Sequence, residues 1–277
     1  MDYARELDIA EQAARAAAAV ISSYYRRDGV RVEIKPDNSP VTEADLEANR
    51  AIVTLIRAAF PDDAILSEEL PDDRARLHQR RVWVVDPLDG TRDFIARTDQ
   101  FCTHVGLAVD GVAVVGAVHQ PVAGTLFSAR AGGGAFVQAG GETAPRAPLR
   151  VSTVAATGDM RAGVGRDKPG GRLGACLAAT GLGARATTLG ASVKYMALAR
   201  GDLDLVINLN AGEMEWDTCA PEVVVREAGG VLTDGDGRPF RYNGSDPAHR
   251  RGSVASNGAR HAALIELLAP YFVEDTV

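Results

Sequence analysis

Carboxylate side chains crowd the point where one predicted strand ends. The segment WVVDPLDGTRDF places Asp86 and Asp89 in a Pro-Leu turn directly after a run of strand-forming residues. Two carboxylates with the Leu88 carbonyl between them offer three hard oxygen ligands, the donor type that Mg²⁺ takes in proteins. Gly90 permits close backbone approach, and Thr91 adds a hydroxyl at the start of the next helix, where the dipole favours a phosphate. The segment predicts either a magnesium and phosphate site or an ordinary turn, since Asp, Pro and Gly are common turn formers.

Further acids stand at the ends of other predicted elements. Glu68 and Glu69 follow the short strand AILS, and Asp217 precedes the helical segment TCAPEVVVREAGG. Paired glutamates after a strand are usually a solvated edge, and an Asp before a helix is a good N-cap. Neither alternative explains an acid at the end of several separate elements. Gathered without a cation, such carboxylates would repel one another.

The hydrophobic pattern alternates helices and strands along the whole chain. Helical periodicity runs from the N-terminus to the segment RRDG, and again through TEADLEANRAIVTLIRAAF, where Thr42 and Asp45 form a capping box and Pro61 ends the helix. Strand patterns with hairpin turns follow. A Gly- and Pro-rich stretch, AGGETAPRAP, then precedes a predicted strand LRVST and further helices and strands. We therefore expect an N-terminal α+β domain at 1–143 with the main metal and catalytic motifs. A C-terminal α/β domain at 144–277 would carry the specificity elements and the last metal ligand.

Composition excludes several classes of protein. The chain has 277 residues, 46% hydrophobic and 24% charged, which is typical of a globular protein with a sizeable core. Its net charge of −7, without a block of basic residues, argues against a nucleic-acid binder. Three separated cysteines suit a reducing compartment, and no segment is typical of a signal peptide or a membrane span. We expect a cytoplasmic protein without a nucleic-acid or membrane partner.

Four motifs resemble those of one known family. WVVDPLDGTRDF and WDTCAPEVVVREAGG look like the two signature motifs of the inositol monophosphatase superfamily, and SEE and SPVTEAD are similar to its accessory segments. They occur in the family's order and span nearly the whole chain. The resemblance implies an α+β fold, a layered αβαβα sandwich. It also implies a lithium-sensitive phosphomonoesterase that uses two or three Mg²⁺ ions per site.

The resemblance also implies roles for individual residues. Asp45 and Thr91 would orient and deprotonate the attacking water, and the amides of Gly90 and Thr91 would hold the phosphate. Asp45 keeps its alternative role as the capping-box partner of Thr42. The implied metal ligands are Glu68, Asp86, the Leu88 carbonyl, Asp89 and Asp217.

Within the superfamily, the segment ASVKYMALARGDLDL is more similar to the 3'(2'),5'-bisphosphate nucleotidases than to the inositol enzymes. Lys194 matches the lysine that contacts the nucleotide in that branch. The branch's nucleotide-contacting serine aligns with Ala191, so Ser192 lies one position after it. Asn208 lies towards the end of the predicted strand DLVINLN, where its uncharged amide can bind a hydroxyl or a phosphate. We therefore name Ser192, Lys194 and Asn208 as substrate contacts.

These similarities predict a phosphatase that converts adenosine 3',5'-bisphosphate to AMP, as a monomer or homodimer. Two alternatives remain at this stage. One is an inositol monophosphatase or related cyclitol or sugar phosphatase, and the other is a non-catalytic metal-binding regulatory protein.

Overall fold

The computed structural model describes residues 2–27, 29–36, 38–165, 171–190, 192–209 and 212–272. The helices in these ranges are α1 (Ala4–Tyr25), α2 (Glu43–Ala59), α3 (Thr91–Ala96), α4 (Arg172–Thr180), α5 (Val193–Ala199), α6 (Glu215–Glu227) and α7 (His261–Leu268). The strands are β1 (Val32–Ile34), β2 (Pro40–Thr42), β3 (Ala64–Ser67), β4 (Arg81–Asp89), β5 (Cys102–Val109), β6 (Val112–Gln120), β7 (Thr125–Arg130), β8 (Ala135–Ala139), β9 (Ala147–Pro148), β10 (Ala162–Val164), β11 (Ala186–Thr188), β12 (Leu205–Asn208), β13 (Val231–Asp234) and β14 (Ser253–Ser256).

The two N-terminal helices form where the sequence predicts them. One face of α1, which includes Ala10, Ala17 and Ile21, is buried, as the helical spacing of its apolar residues requires. Thr42 and Asp45 make the expected capping box at the start of α2. That helix ends at Ala59, before the proline that cannot continue it.

Two sheets organise the rest of the described chain. The seven-stranded sheet has the order β3-β4-β5-β6-β7-β8-β9 and is antiparallel except for the pair β3 and β4. The five-stranded sheet has the order β11-β10-β12-β14-β13, with β10 parallel to both of its neighbours. A separate hairpin pairs β1 with β2.

Apolar side chains join these sheets and helices into five layers. One core lies between α1, α2 and the seven-stranded sheet, and contains Trp83, Leu107 and Ile52. A second core lies between the two sheets around α5 and α6. A third lies on the outer face of the five-stranded sheet, beneath α4 and α7. The result is the expected α+β fold with helices and sheets in alternating layers.

Helix α6 lies unusually close to the seven-stranded sheet because two strand positions lack side chains. A Cβ added at Gly116 would lie 2.3 Å from the Ala220 carbonyl oxygen. One added at Gly106 would lie 2.8 Å from the sulfur of Cys219. Only glycine permits such an approach. These contacts fix the N-terminal half of α6, which carries Asp217, against β5 and β6.

One predicted strand is absent, and the expected domain division remains a prediction. The segment LRVST at 149–153 forms no strand. Its amides bond to separate partners, since Leu149 N donates to the Ala135 carbonyl and Val151 N donates to the Ala228 carbonyl, at the end of α6. The chain therefore crosses between layers here instead of extending a sheet. Directly before it, β9 still pairs with β8 in the seven-stranded sheet.

Within the described residues, no helix combines the length and the apolar character that a membrane span requires.

Candidate active site

Strand β4 ends in an irregularity between its two carboxylates. Asp86 still pairs with His104 of β5, but the register shifts before Asp89 pairs with Cys102. Pro87 supplies no amide for the ladder, which accounts for the interruption. The Leu88 amide donates to Asp86 Oδ1 at 2.9 Å and fixes that side chain within the turn. The turn thus presents both acids on the same side of the strand end.

A third acid joins this pair from α6. Carboxylate oxygens of Asp86, Asp89 and Asp217 all lie within 4.8 Å of one another. Asp217 is the third residue of α6, and it also accepts a hydrogen bond at 2.7 Å from the amide of Met214, the N-cap residue. The structure therefore brings together acids that are far apart in the sequence. The predicted N-cap position of Asp217 is wrong, because α6 begins two residues earlier, at Glu215, and Met214 is its N-cap residue.

The electrostatics of this cluster fit a divalent cation. Burial, followed by the charges of Glu68, Asp89 and Asp217, raises the pKa of Asp86 well above its ordinary value. Burial and the neighbouring Asp89 raise the pKa of Asp217 in the same way. Three hard oxygen donors that repel one another are the donor set that Mg²⁺ binds and neutralises. The residues present therefore fit the ion that the sequence implies.

Asp45 and Thr91 meet beside the acid cluster. Thr91 Oγ1 donates to Asp45 Oδ1 at 2.9 Å and lies 3.2 Å from the Leu88 carbonyl oxygen. The other Asp45 oxygen accepts hydrogen bonds from the amide and hydroxyl of Thr42. Asp45 is thus both capping-box partner and partner of Thr91. Burial raises the pKa of Asp45 although these hydrogen bonds oppose the shift.

Glu68 lies on the same cleft wall but outside the cluster of three acids, and it has a partner that the sequence analysis missed. Lys35 Nζ lies 2.8 Å from Glu68 Oε1 and 2.6 Å from Glu69 Oε1. Burial would lower the pKa of Lys35, but the two glutamates raise it. One ammonium cannot neutralise two carboxylates, and burial raises the pKa of Glu69 to about 7. No motif identified Lys35, because only folding brings the segment after β1 against the end of β3.

His104 is a second residue that the sequence did not single out. Its side chain is fully buried, and its Nδ1 lies 3.1 Å from the Trp216 carbonyl oxygen. Because a carbonyl only accepts, Nδ1 carries a proton. The other ring nitrogen lies 3.4 Å from Asp89 Oδ2. His104 therefore packs against Asp89. The sequence could have identified it only if the pairing of β4 with β5, which places His104 opposite Asp86, had been known.

The acids open into a cleft of about 570 Å³. Its described lining residues are Lys35, Ser39, Pro40, Glu68, Asp86, Leu88, Asp89, Gly90, Thr91, Arg92, Asp93, Gly212, Met214, Trp216 and Asp217.

All of the expected metal ligands line this cleft, and so do Gly90 and Thr91, the expected phosphate contacts, but the other three expected substrate contacts do not. Ser192 and Lys194 are buried, and Asn208 lies at the end of β12; none of them is among the described lining residues. Ser192 instead donates its amide to Asp89 Oδ2 at 2.7 Å. Ala191 lies outside the described residues. The substrate contacts therefore remain predictions.

Comparison with known proteins decides the family. The model of the inositol monophosphatase family matches residues 2–272. The chain belongs to the inositol monophosphatase family. Members of this family are metal-dependent phosphatases that act on small phosphorylated substrates. The predictions of the family, of the layered fold and of a phosphoric monoester hydrolase are confirmed, whereas the non-catalytic alternative is not supported.

Relatives that are named for different activities match nearly equally well. The 3'(2'),5'-bisphosphate nucleotidase CysQ of Escherichia coli K12 is 34% identical over 243 residues, covering 85% of this chain and 93% of CysQ. A histidinol-phosphatase of Streptomyces coelicolor is 32% identical over 272 residues, covering 96% of this chain and 98% of that protein.

Solved structures of the family superpose closely on this fold. CysQ from Bacteroides thetaiotaomicron has a TM-score of 0.78 at 29% identity, covering 92% of this chain and 98% of that one. An IMPase of Thermotoga maritima has a TM-score of 0.80 at 26% identity, covering 96% of this chain and 98% of that one.

Proposed function

We propose that this phosphatase hydrolyses a small phosphate ester with Mg²⁺, and that its substrate is a 3'(2'),5'-bisphosphate nucleotide such as adenosine 3',5'-bisphosphate. One observation carries the catalytic part of the proposal. The hydrogen-bonded pair Asp45 and Thr91 lies directly beside the cluster of Asp86, Asp89 and Asp217. A proton acceptor and a cation site at one strand end are the two parts that metal-assisted ester hydrolysis needs.

The proposed ligands are Glu68, Asp86, the Leu88 carbonyl, Asp89 and Asp217. Glu68 would join them after exchanging its ion pair with Lys35. When bound, Mg²⁺ supplies charge that offsets the phosphoryl oxygens and favours ionisation of water.

The chain's own residues move the proton and hold the ester. Thr91 Oγ1 donates its proton to Asp45 Oδ1, which leaves the hydroxyl oxygen free to accept a proton from an attacking water. The raised pKa of Asp45 makes it a better proton acceptor near neutral pH than an exposed aspartate. The amides of Gly90 and Thr91, at the left-handed turn into α3, would hold the phosphate oxygens. The water oxygen would form the new bond to phosphorus while the bond from phosphorus to the ester oxygen breaks, and the leaving oxygen would take a proton from solvent, so that no covalent enzyme intermediate forms.

The charges on the cleft wall favour a substrate with more than one anionic group. Arg92 is exposed on this wall, and no carboxylate of the described chain forms an ion pair with it. Lys35, the other cation among the described lining residues, already pairs with Glu68 and Glu69. A second phosphate can bind such a guanidinium through two hydrogen bonds. The similarity to CysQ supports the same choice.

Histidinol phosphate is the second candidate substrate. The similarity to a histidinol-phosphatase covers 96% of this chain, a larger share than the similarity to CysQ. Histidinol carries a positively charged amine, which would suit the acidic side chains of the cleft rather than Arg92. Inositol and sugar phosphates remain a further alternative from the sequence.

A substrate panel tests the proposal. Phosphate release is measured from adenosine 3',5'-bisphosphate, 5'-AMP, histidinol phosphate, inositol 1-phosphate and fructose 1,6-bisphosphate, each with Mg²⁺ and with EDTA. We expect the highest kcat/KM for the bisphosphate nucleotide and no release in EDTA. Preference for histidinol phosphate would overturn the substrate assignment, and equal release in EDTA would overturn the mechanism.

A further inference from the structure

A buried hydrogen-bond network lies behind the cleft and joins three elements. Tyr195 of α5 donates its hydroxyl to Glu213 Oε1 at 2.5 Å, and Ser253 of β14 donates to Glu213 Oε2 at 2.5 Å. The two hydroxyl oxygens are 2.9 Å apart. Tyr195 and Ser253 have no exposed surface, and Glu213 is 8% exposed. We refer to these three residues as the Glu213 network.

Stability alone gives little reason for this arrangement. In the described part of the chain no cation forms an ion pair with Glu213, so two neutral hydroxyls alone offset the burial of its carboxylate. Removing a carboxylate from water costs several kcal/mol in general, and apolar residues of similar volume are often as stable. Such a network is better explained by the geometry that it imposes on its surroundings.

On one side the network holds the element that supports Asp89. Tyr195 lies in the first turn of α5, three residues after the N-cap residue Ser192, whose amide donates to Asp89 Oδ2 at 2.7 Å. The ammonium of Lys194 lies 4.9 Å from the centroid of the Tyr195 ring. Fixing the Tyr195 hydroxyl therefore fixes the start of α5 relative to Asp89.

On the other side it holds the element that supports Asp217. Glu213 directly precedes Met214, whose amide donates to Asp217 Oδ2 at 2.7 Å. The backbone carbonyl of Glu213 also accepts from the His249 amide at 2.8 Å. Met214 lines the cleft itself. The Glu213 carboxylate thus connects two elements. One is the segment before α6, whose Met214 amide bonds to Asp217, and the other is α5, whose N-cap amide bonds to Asp89.

We propose that the Glu213 network is a positioning element of the metal site, which sets the separation of Asp89 and Asp217 for divalent-cation binding. Tyr195, Glu213 and Ser253 touch neither the ion nor the substrate in this role. They act through the Ser192 and Met214 amides. The inference rests on the proposed function, because it assigns Asp89 and Asp217 to the metal ligands.

Tyr195→Phe tests the inference because it removes one hydroxyl and keeps the ring. Tyr242→Phe is a matched control, since the Tyr242 hydroxyl donates to Glu222 Oε2 at the same distance, 2.5 Å, and Tyr242 is 3% exposed. Neither Tyr242 nor Glu222 is among the described residues that line the cleft. Both variants should lower the thermal stability of the metal-free protein similarly.

Calorimetric titration of the full chain with Mg²⁺ gives the readout, independent of turnover. We expect Tyr195→Phe to raise the Kd for Mg²⁺ by about 10- to 100-fold, the range typical of residues that orient metal ligands, and Tyr242→Phe to leave it unchanged. Ser253→Ala removes the other hydroxyl and should also raise the Kd for Mg²⁺. This variant tests the inference if Tyr195→Phe does not fold.

Two results would overturn the inference. Equal Kd values for the wild type, Tyr195→Phe and Ser253→Ala would show that the network is structural only, while the proposed function would stand. A wild-type chain that binds no Mg²⁺ would overturn the proposed function and the inference with it.

Discussion

Replacing Thr91 by valine isolates the hydroxyl that links the proton acceptor to the metal cluster. Valine matches threonine in shape, so the change removes the 2.9 Å hydrogen bond to Asp45 without opening a cavity. Asp45 is 1% exposed and keeps only its hydrogen bonds from Thr42. The loss of one hydrogen bond to a buried charged group costs about 2 kcal/mol. For a chain of this size we expect a fall in Tm of about 4–8 °C.

The effect on turnover should exceed that stability cost. A loss of about 2 kcal/mol, if it acted only on the reaction barrier, would slow the reaction about 30-fold. Removal of a general base or its proton relay typically costs about 10²- to 10⁴-fold. We therefore expect Thr91→Val to lower kcat for adenosine 3',5'-bisphosphate at saturating Mg²⁺ by at least about 100-fold. Thr91→Ser, which keeps the hydroxyl, should retain most of the activity.

Thr42→Val is the matched control because its hydroxyl donates to the other oxygen of Asp45. It should lower Tm by a similar amount, since it removes a hydrogen bond to the same carboxylate, and keep kcat within about tenfold of the wild type. Phosphate release and thermal unfolding are measured on the same preparations. If both valine variants lose Tm equally and Thr91→Val keeps wild-type kcat, the assignment of Thr91 and Asp45 to the reaction is refuted.

Three further results are expected. Asp89→Asn should abolish phosphate release while circular dichroism shows a folded protein, because it removes a charge from the crowded cluster; wild-type activity would refute the metal assignment. Glu69 has a pKa of about 7 in the folded protein against an ordinary 4.5, so the stability that its protonation contributes is full below pH 4.5 and is lost as the pH rises through about 7. In EDTA, the Tm of Glu69→Gln should therefore fall less than that of the wild type between pH 4.5 and about 7. Parallel curves of Tm against pH for the two proteins would contradict the raised pKa of Glu69. Arg92→Ala should raise KM about fivefold for the bisphosphate nucleotide and leave KM for inositol 1-phosphate unchanged, whereas equal changes would show that Arg92 binds no second phosphate.

Much of the site could be predicted because the chemistry lies in short local motifs. Asp86, Leu88, Asp89 and Thr91 are neighbours in one turn, so their convergence follows from the strand end and the proline that interrupts its ladder. Asp217 could be predicted only through the resemblance, since its approach depends on the packing of α6 against the glycines of β5 and β6.

The residues that the sequence analysis missed are held by contacts between distant segments. Lys35 meets Glu68 and Glu69 only after the segment that follows β1 folds over the end of β3. Tyr195, Glu213 and Ser253 read as ordinary core or loop residues until three elements meet.

The secondary structure also depends in part on contacts between distant segments, which the sequence pattern does not give. The strong periodicity of α1 and α2 fixes both helices, whereas LRVST has strand-like residues but bonds to two different layers. A pattern of side chains predicts an extended conformation there, and only tertiary structure determines whether a partner strand is available.

The central claim is that Asp86, Asp89 and Asp217 form a divalent-cation site. The most direct measurement is anomalous diffraction from crystals soaked with Mn²⁺, which takes the same oxygen ligands as Mg²⁺. We predict an anomalous peak among these three carboxylates, within coordination distance of the Leu88 carbonyl, and its loss in Asp89→Asn crystals. Fully occupied Mn²⁺ sites elsewhere on the protein, with no peak among the three aspartates, would contradict the account.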